Sequence, residues 1–286
     1  MTANGPIHEN APAAVFRDKP ELIIDWPEWL LSEGQIARYQ SIEKLAIVEI
    51  AGRDSVAAAV RSVEERQFTD LLPVYAYTGT ESGEWAHIQR AVDRLSRRLP
   101  AVGVHPLLVM GSPGFWRAIN GGFISELFAR YGFYSPCPGC HLYLHAARIP
   151  LAVKLGNIPI ISGERESHTG MVKINQTAEA LDFYLAFARR FDISLLFALR
   201  HISSGDEIER ILQAPWKRGK EQVGCALSGN YRMTDNTIPI LPADIRRFFE
   251  NFAGPVAEKI IAAYLSGIVP DHHTVARQVL HDVDVS

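Results

Sequence analysis

Apolar positions along the chain follow two alternating rhythms from Lys44 onward. KLAIVEI, residues 44–50, is a short apolar run of strand length, and Asp54 to Arg66 then carries Val56, Ala59, Val60 and Val63 at helical spacing. This predicts a strand, a tight loop and a helix. The unit recurs: Leu72 to Thr78 reads as a strand, Trp85, Ile88, Val92 and Leu95 mark one helix face, and Val104 to Met110 reads as a third strand. Ile158 to Ser162 and Ile193 to Leu199 predict two further strands, with helices between Leu142 and Leu155 and between Ala178 and Arg190. Such alternation predicts an α/β fold, a doubly wound, mostly parallel, Rossmann-like sheet.

The flanks differ. Residues 1 to about 20 are polar and aperiodic, which predicts a mobile tail, and a short helix is expected around Trp29 to Tyr39. Beyond Pro239 the signal turns helical, from Pro242 through Phe252 and from Pro255 through Leu265, with a polar end containing His272 and His273. The expected organisation is therefore 1–42 tail and short helix, 43–235 α/β domain, and 236–286 C-terminal helical extension.

Composition narrows the function. With 286 residues, 47% hydrophobic and 21% charged, the chain has the balance of a globular protein with a full core. Lys and Arg total 29 against 32 Asp and Glu, so no global basic field draws in nucleic acid, and an RNA partner needs a local patch. The longest apolar stretch, Leu181 to Leu199, is interrupted by Asp182, Arg189, Arg190 and Asp192, which argues against a membrane span. The first 21 residues lack a basic start followed by an apolar block, so a cytoplasmic, reducing setting is expected.

In an open parallel sheet, ligands sit beyond the carboxyl ends of the strands, which directs attention to Ala51-Gly52-Arg53-Asp54-Ser55 after the first strand. Gly52 allows close backbone approach, and N–H groups near Ser55 and Val56 at the helix start suit a phosphate. The plainer alternative is that Asp54 or Ser55 caps the helix. Neither GxxxxGK[ST] nor GxGxxG is present.

Three cysteines, Cys137, Cys140 and Cys225, cannot pair off completely into disulfides. Cys137 and Cys140 form a CxxC read as lying in a turn, and two such sulfurs can face one metal. Cys225 follows in another glycine-flanked loop. Zinc on three thiolates needs a fourth ligand, for which His141 and His145 are nearest in sequence, whereas a 4Fe-4S cluster on three cysteines leaves one iron open. A redox pair or zinc knuckle with a bystander Cys225 is the competing reading.

Strand, AGRDS, helix resembles the PP-loop of the ATP pyrophosphatase family, with its signature SGGxDS and its adenine nucleotide alpha hydrolase-like fold. Members cleave ATP between the α and β phosphates to adenylate a substrate. Here Ala51 stands in place of the Ser and Arg53 displaces a Gly. A CxxC with one distant Cys on such a domain is similar to the iron-sulfur-dependent thiolation branch. The resemblance implies that Asp54 and Ser55, with Ala51, Gly52 and Arg53, serve ATP and Mg2+, that Thr78 closes the strand beside the adenosine, and that Cys137, Cys140 and Cys225 ligate the cluster. Gly163, Arg165 and Lys173, in or beside the polar loop 162–170, are candidate nucleotide contacts, and His168 is a candidate proton carrier. His141 and His145 are expected to back up a metal site. Trp216 to Lys220 is a small basic cluster, read as a solvated loop or a phosphate contact.

The leading expectation is thus an ATP-dependent sulfurtransferase that adenylates a small-molecule substrate or RNA base and takes sulfur from a donor. An amide- or amine-forming ligase with structural Zn2+ is the alternative, as is a nucleotide-binding module without turnover. A homodimer stays open.

Overall fold

A computed structural model describes residues 31–216 and 221–285. The expected mobile tail, the start of the helix expected from Trp29, and Lys217 to Lys220 of the basic cluster lie outside these residues. A helix capped by Ser32, α1 (Glu33–Gln40), precedes the first strand. The main sheet is wholly parallel: β1 (Leu45–Glu49) is flanked on one side by β2 (Asp70–Tyr77) and on the other by β6 (Ile160–Ile161), with β7 (Leu195–Leu196) beyond. On the outer edge of β2 lie β4 (Gly103–Val104) and β5 (Leu108–Gly111), and β3 (Glu81–Ser82) leaves the sheet altogether.

The expected single strand over 104–110 is thus two. Pro73 in β2 and Pro106 between β4 and β5 have no N–H to give the ladder; pairing stops at Leu71 with Val104 and resumes at Val74 with Leu108.

Burial alternates along β1 in the way a two-faced sheet requires. Leu45 and Ile47 join one apolar cluster, while Ala46 and Val48 join the other. Helices α2 (Arg53–Arg66), α3 (Ala86–Arg98) and α9 (Gly205–Leu212) cover the second face. The first face is covered by α4 (Pro113–Ile119), α6 (Pro136–Ala146), α7 (Ile149–Lys154) and α8 (Ala178–Arg189). Nearby, α5 (Ile124–Tyr131) adds Leu127 and Tyr131 to that cluster. Helices on both faces make the fold doubly wound, as the alternation predicts.

The helices after Pro239 are α10 (Pro242–Phe248), a π turn over Phe249–Ala253, α11 (Gly254–Leu265) and α12 (His272–Val285). They bury Phe249, Phe252, Ile260, Ile261 and Ala276 in the first face's cluster. The polar end expected around His272 is therefore the start of a helix that packs on α4.

Two local expectations are corrected. The CxxC does not lie in a turn: Ser135 caps α6 by accepting from the Cys137 N–H, and Pro136 and Pro138 sit in the first turn, where no helical N–H is needed. The expected helix over 142–155 is split at Arg148, and Pro150 opens the second piece. Among the described residues no helix is long and apolar enough to cross a membrane.

Candidate active site

Strand order reverses at β1, whose next strand in the chain, β2, lies to one side while β6 lies to the other. The loops after β1 and β6 therefore part at their carboxyl ends and leave a crevice, the usual ligand position in such sheets. A cleft of about 300 Å3 occupies it.

One wall is the Ala51–Ser55 loop. Ser55 Oγ accepts from the N–H groups of Ala51 and Gly52, both at 3.0 Å, and donates to the Gly52 carbonyl at 2.8 Å. The hydroxyl thus fixes the loop's shape from within. The Val56 N–H, expected to face a ligand, instead makes the first helical bond to Gly52 O at 3.1 Å. The N–H groups of Arg53, Asp54 and Ser55, the first three of α2, have no carbonyl one turn earlier to receive them, and they give this end its positive character. Gly163, on the loop after β6, is needed for contact: a Cβ there would lie 2.6 Å from Ser55 N and 2.7 Å from Asp54 C. Gly52 is crowded in turn by Gln222.

Asp54 is held between two guanidiniums, Arg53 Nε at 2.8 Å and Arg165 Nε at 3.1 Å. Arg165 is 1% exposed, so it steadies Asp54 from behind and is not among the cleft-lining residues; the expected phosphate contact becomes a support. Arg165 also donates to His168 Nδ1 at 2.6 Å, and His168 Nε2–H donates to Gln176. Burial, with Lys173 and Arg165 nearby, lowers the His168 pKa to about 4, so the ring is neutral at pH 7.

The floor is a buried polar network. Gln176 donates to Glu164, which receives His141 Nδ1–H at 2.6 Å, and Asn175 donates to His141 Nε2 at 2.9 Å. Burial would raise the Glu164 carboxyl, but His141, His145 and Gln176 outweigh it and hold it down to about 2. One helical turn on, His145 Nδ1–H donates to Glu49 at 2.9 Å, while Arg148 Nη1 lies 3.4 Å from the same carboxylate. Glu49 is likewise held below the usual range against its burial by His145 and Arg148. His145 Nε2 is buried without a hydrogen bond and stands 3.7 Å from Glu164.

The thiols occupy the remaining side. β8 (Gly224–Cys225) pairs antiparallel with β3, placing Cys225 opposite Glu81, and its Sγ lies 3.3 Å from Thr80 Oγ1. Cys140 and Cys225 line the cleft; Cys137 lies behind, its Sγ 4.0 Å from the Leu227 carbonyl. Burial pushes the Cys137 thiol up to about 11 and the Cys140 thiol further still. Thr78 donates its N–H and hydroxyl to Glu81 Oε1, leaving Oε2 buried without a hydrogen bond. Three thiols suit zinc or an iron-sulfur cluster in kind, and Cys225 is close enough to act electrostatically on both Cys137 and Cys140. Among the described residues no group of three or more His, Cys, Asp or Glu side chains is arranged to hold a metal ion.

The cleft thus brings together Ala51, Gly52, Arg53, Asp54, Ser55, Thr78, Cys140, Gly163, Lys173 and Cys225, and leaves Cys137 and Arg165 just outside its lining. Glu49, Arg148, Glu164, Gln176 and Gln222 line it without having been singled out from sequence. A charge ending an otherwise apolar strand, as in KLAIVEI, is the signal that marks Glu49.

No family model matches the chain. It is 38% identical over 224 residues to an uncharacterized protein, MJ0009, of Methanocaldococcus jannaschii, the match covering 77% of this chain and 80% of that one. Among solved structures, a 4-thiouridine synthetase in complex with RNA and bound ATP is similar over 78% of this chain, at 13% identity and a TM-score of 0.44. The chain spans 53% of that protein's length. A likeness at that level carries no argument about activity.

Proposed function

The chain belongs to the family of the M. jannaschii protein MJ0009, and we propose that it is a PP-loop-type enzyme that cleaves ATP to AMP and pyrophosphate, adenylates an acceptor oxygen and replaces that oxygen with sulfur. The observation that carries this reading is one cleft lined by a helix-opening loop, the end of β2, a lysine and two thiols.

MgATP is the substrate. Its phosphates belong at the N–H groups of Arg53, Asp54 and Ser55, with Arg53 and Lys173 supplying charge, and its adenosine beside Thr78. The acceptor oxygen attacks the α-phosphorus and pyrophosphate leaves, held by the same donors as its charge develops. AMP then becomes the leaving group for an incoming sulfur nucleophile. His141, whose Nδ1–H is held by an ionised Glu164, lines the cleft and takes on Nε2 the proton released as the nucleophile adds, once the Asn175 amide gives up that nitrogen. Cys140 and Cys225 are the sulfurs within reach of the reacting region. A 4Fe-4S cluster on the three cysteines, or zinc, belongs to the finer reading; no step here is routed through it.

Pyrophosphate release with varied acceptors tests the activity, together with calorimetric titration of MgATP. Lys173→Ala is expected to weaken MgATP at least tenfold; equal affinity in the wild type and this variant would sink the assignment of Lys173 to the phosphates. Metal content and the visible spectrum of protein purified without oxygen decide between a cluster, zinc and free thiols.

A further inference from the structure

A second cavity, of about 250 Å3, adjoins the cleft. Arg53, Asp54, Lys173 and Gln222 line both, so these four residues form a common wall between two compartments. Adenylyl transfer needs such a pair. The attacking oxygen and the departing pyrophosphate lie on opposite sides of the α-phosphorus, and a 300 Å3 cleft is at the small end of ligand sites, leaving little room for a second substrate beside a nucleotide.

The charges of the second cavity say what enters it. Its lining holds three cations, Arg53, Lys173 and Arg232, and one carboxylate, Asp54. That carboxylate is shared between Arg53 and the buried Arg165, so it does not neutralise either fully. Arg232 donates to the carbonyls of Asn236, at 2.9 Å, and Val172. Carbonyls are neutral acceptors, and the guanidinium keeps its net charge. Of the other titratable groups in the lining, His168 is held neutral by burial and by Lys173 and Arg165, and burial raises the Tyr231 phenol, which keeps its proton. Beside this positive field stand apolar surfaces: the Tyr231 ring, with the Arg232 guanidinium 5.3 Å from its centroid, and Met171, 56% exposed.

We infer that this cavity seats the acceptor of the adenylation reaction, and that the acceptor carries an anionic group, a carboxylate or a phosphate, next to an apolar or aromatic body. The inference rests on the adenylation reading above. An anion there meets an excess of positive charge in a partly desolvated site, where charge-assisted hydrogen bonds are strongest. With Arg53 and Lys173 engaged by the nucleotide's phosphates, Arg232 is the cation of this lining that a neutral acceptor would leave uncompensated.

The test titrates inorganic phosphate, and in parallel acetate, into full-length protein saturated with Mg2+ and the α,β-methylene analogue of ATP. At least one anion is expected to bind, and the tighter of the two names the acceptor's group. Arg232→Gln should weaken that binding at least tenfold, and Arg232→Lys should restore most of it. Because Arg232 also ties two loop carbonyls together, Ser228→Asp provides a second variant. It adds a negative charge to the same lining from an exposed position and should weaken the anion similarly. Nucleotide affinity should stay within twofold in all three variants. Absence of anion binding, or binding that Arg232→Gln and Ser228→Asp leave untouched, overturns the inference. So does an equal loss of nucleotide affinity in both, since the cavity would then hold the nucleotide's own phosphates. Variant-sensitive anion binding by a protein that takes no nucleotide upholds the anion site and overturns the adenylation reading instead.

Discussion

Arg165 Nε and Asp54 Oδ2 stand 3.1 Å apart at the point where the strand order reverses, joining the loop after β6 to the first turn of α2. From Arg165 the hydrogen bonds continue through His168, Gln176 and Glu164 to His141, so one polar chain, begun by this ion pair, runs beneath the cleft from the Ala51–Ser55 loop to α6. Arg165→Met removes its first link. Loss on the order of 1–2 kcal/mol is expected, below that of a fully buried pair because Asp54 is a quarter exposed and keeps Arg53, read as a lower urea midpoint. A misplaced Asp54 should also lower the rate of pyrophosphate release by roughly 100-fold. Arg165→Lys keeps the charge without the fork and should recover stability more than rate. A variant with full activity would show that Asp54 needs no such support.

His168 gives the chain a pH dependence. Its folded-state pKa is lowered from 6.5 to about 4, so below 6.5 the unfolded chain takes a proton that the folded protein refuses. The stability held by the neutral ring is complete above pH 6.5 and is lost progressively as the pH falls toward 4. Urea midpoints measured from pH 7.5 to 4.5 should fall more steeply for the wild type than for His168→Gln. Parallel curves would mean that folding does not depress the ring's pKa.

Gly163→Ala tests the contact between the loops after β1 and β6. The added methyl would meet backbone atoms of Asp54 and Ser55 at 2.6 to 2.7 Å, and backbone cannot swing aside as a side chain can. A loss of roughly 1–3 kcal/mol is expected for such overpacking, with MgATP affinity reduced at least tenfold as the helix start shifts. Gly34→Ala is the control, because nothing lies within 4 Å of its added carbon.

The sequence shows most of what forms the sheet and less of what forms the floor of the site. Strands β1 and β2 and helices α2, α3 and α8 are long enough for their periodicity to show, and the Ala51–Ser55 loop stands out because it joins two such elements. Helices α4, α5 and α9 span only seven or eight residues, about two turns, which is too short for a 3.6-residue period to separate from chance. Glu49, Arg148 and Glu164 escaped for another reason. Their roles depend on partners 12 to 99 residues away, and only the fold brings these together. The two prolines of the CxxC segment read as turn-formers in sequence, although the first turn of a helix tolerates both.

Cys225 separates the reading of the thiols into outcomes that a single reagent can report. It is exposed and lines the cleft, whereas Cys137 and Cys140 are more shielded and have thiols that burial pushes up. Thiolate is the reactive form, so iodoacetamide should label Cys225 first in metal-free protein, with the other two far slower. If MgATP binds this cleft as proposed, it should slow that labelling at least fivefold. Cys225→Ser should retain MgATP binding and pyrophosphate release while losing sulfur incorporation, and its stability should change by less than about 0.5 kcal/mol, as for an exposed site. If protein purified without oxygen instead resists labelling at all three cysteines until a chelator removes stoichiometric metal, the thiols close around an ion, and free-thiol chemistry at Cys225 is excluded. If Cys225→Ser transfers sulfur as well as the wild type, the incoming sulfur does not pass through this residue, and its place opposite Glu81 is structural.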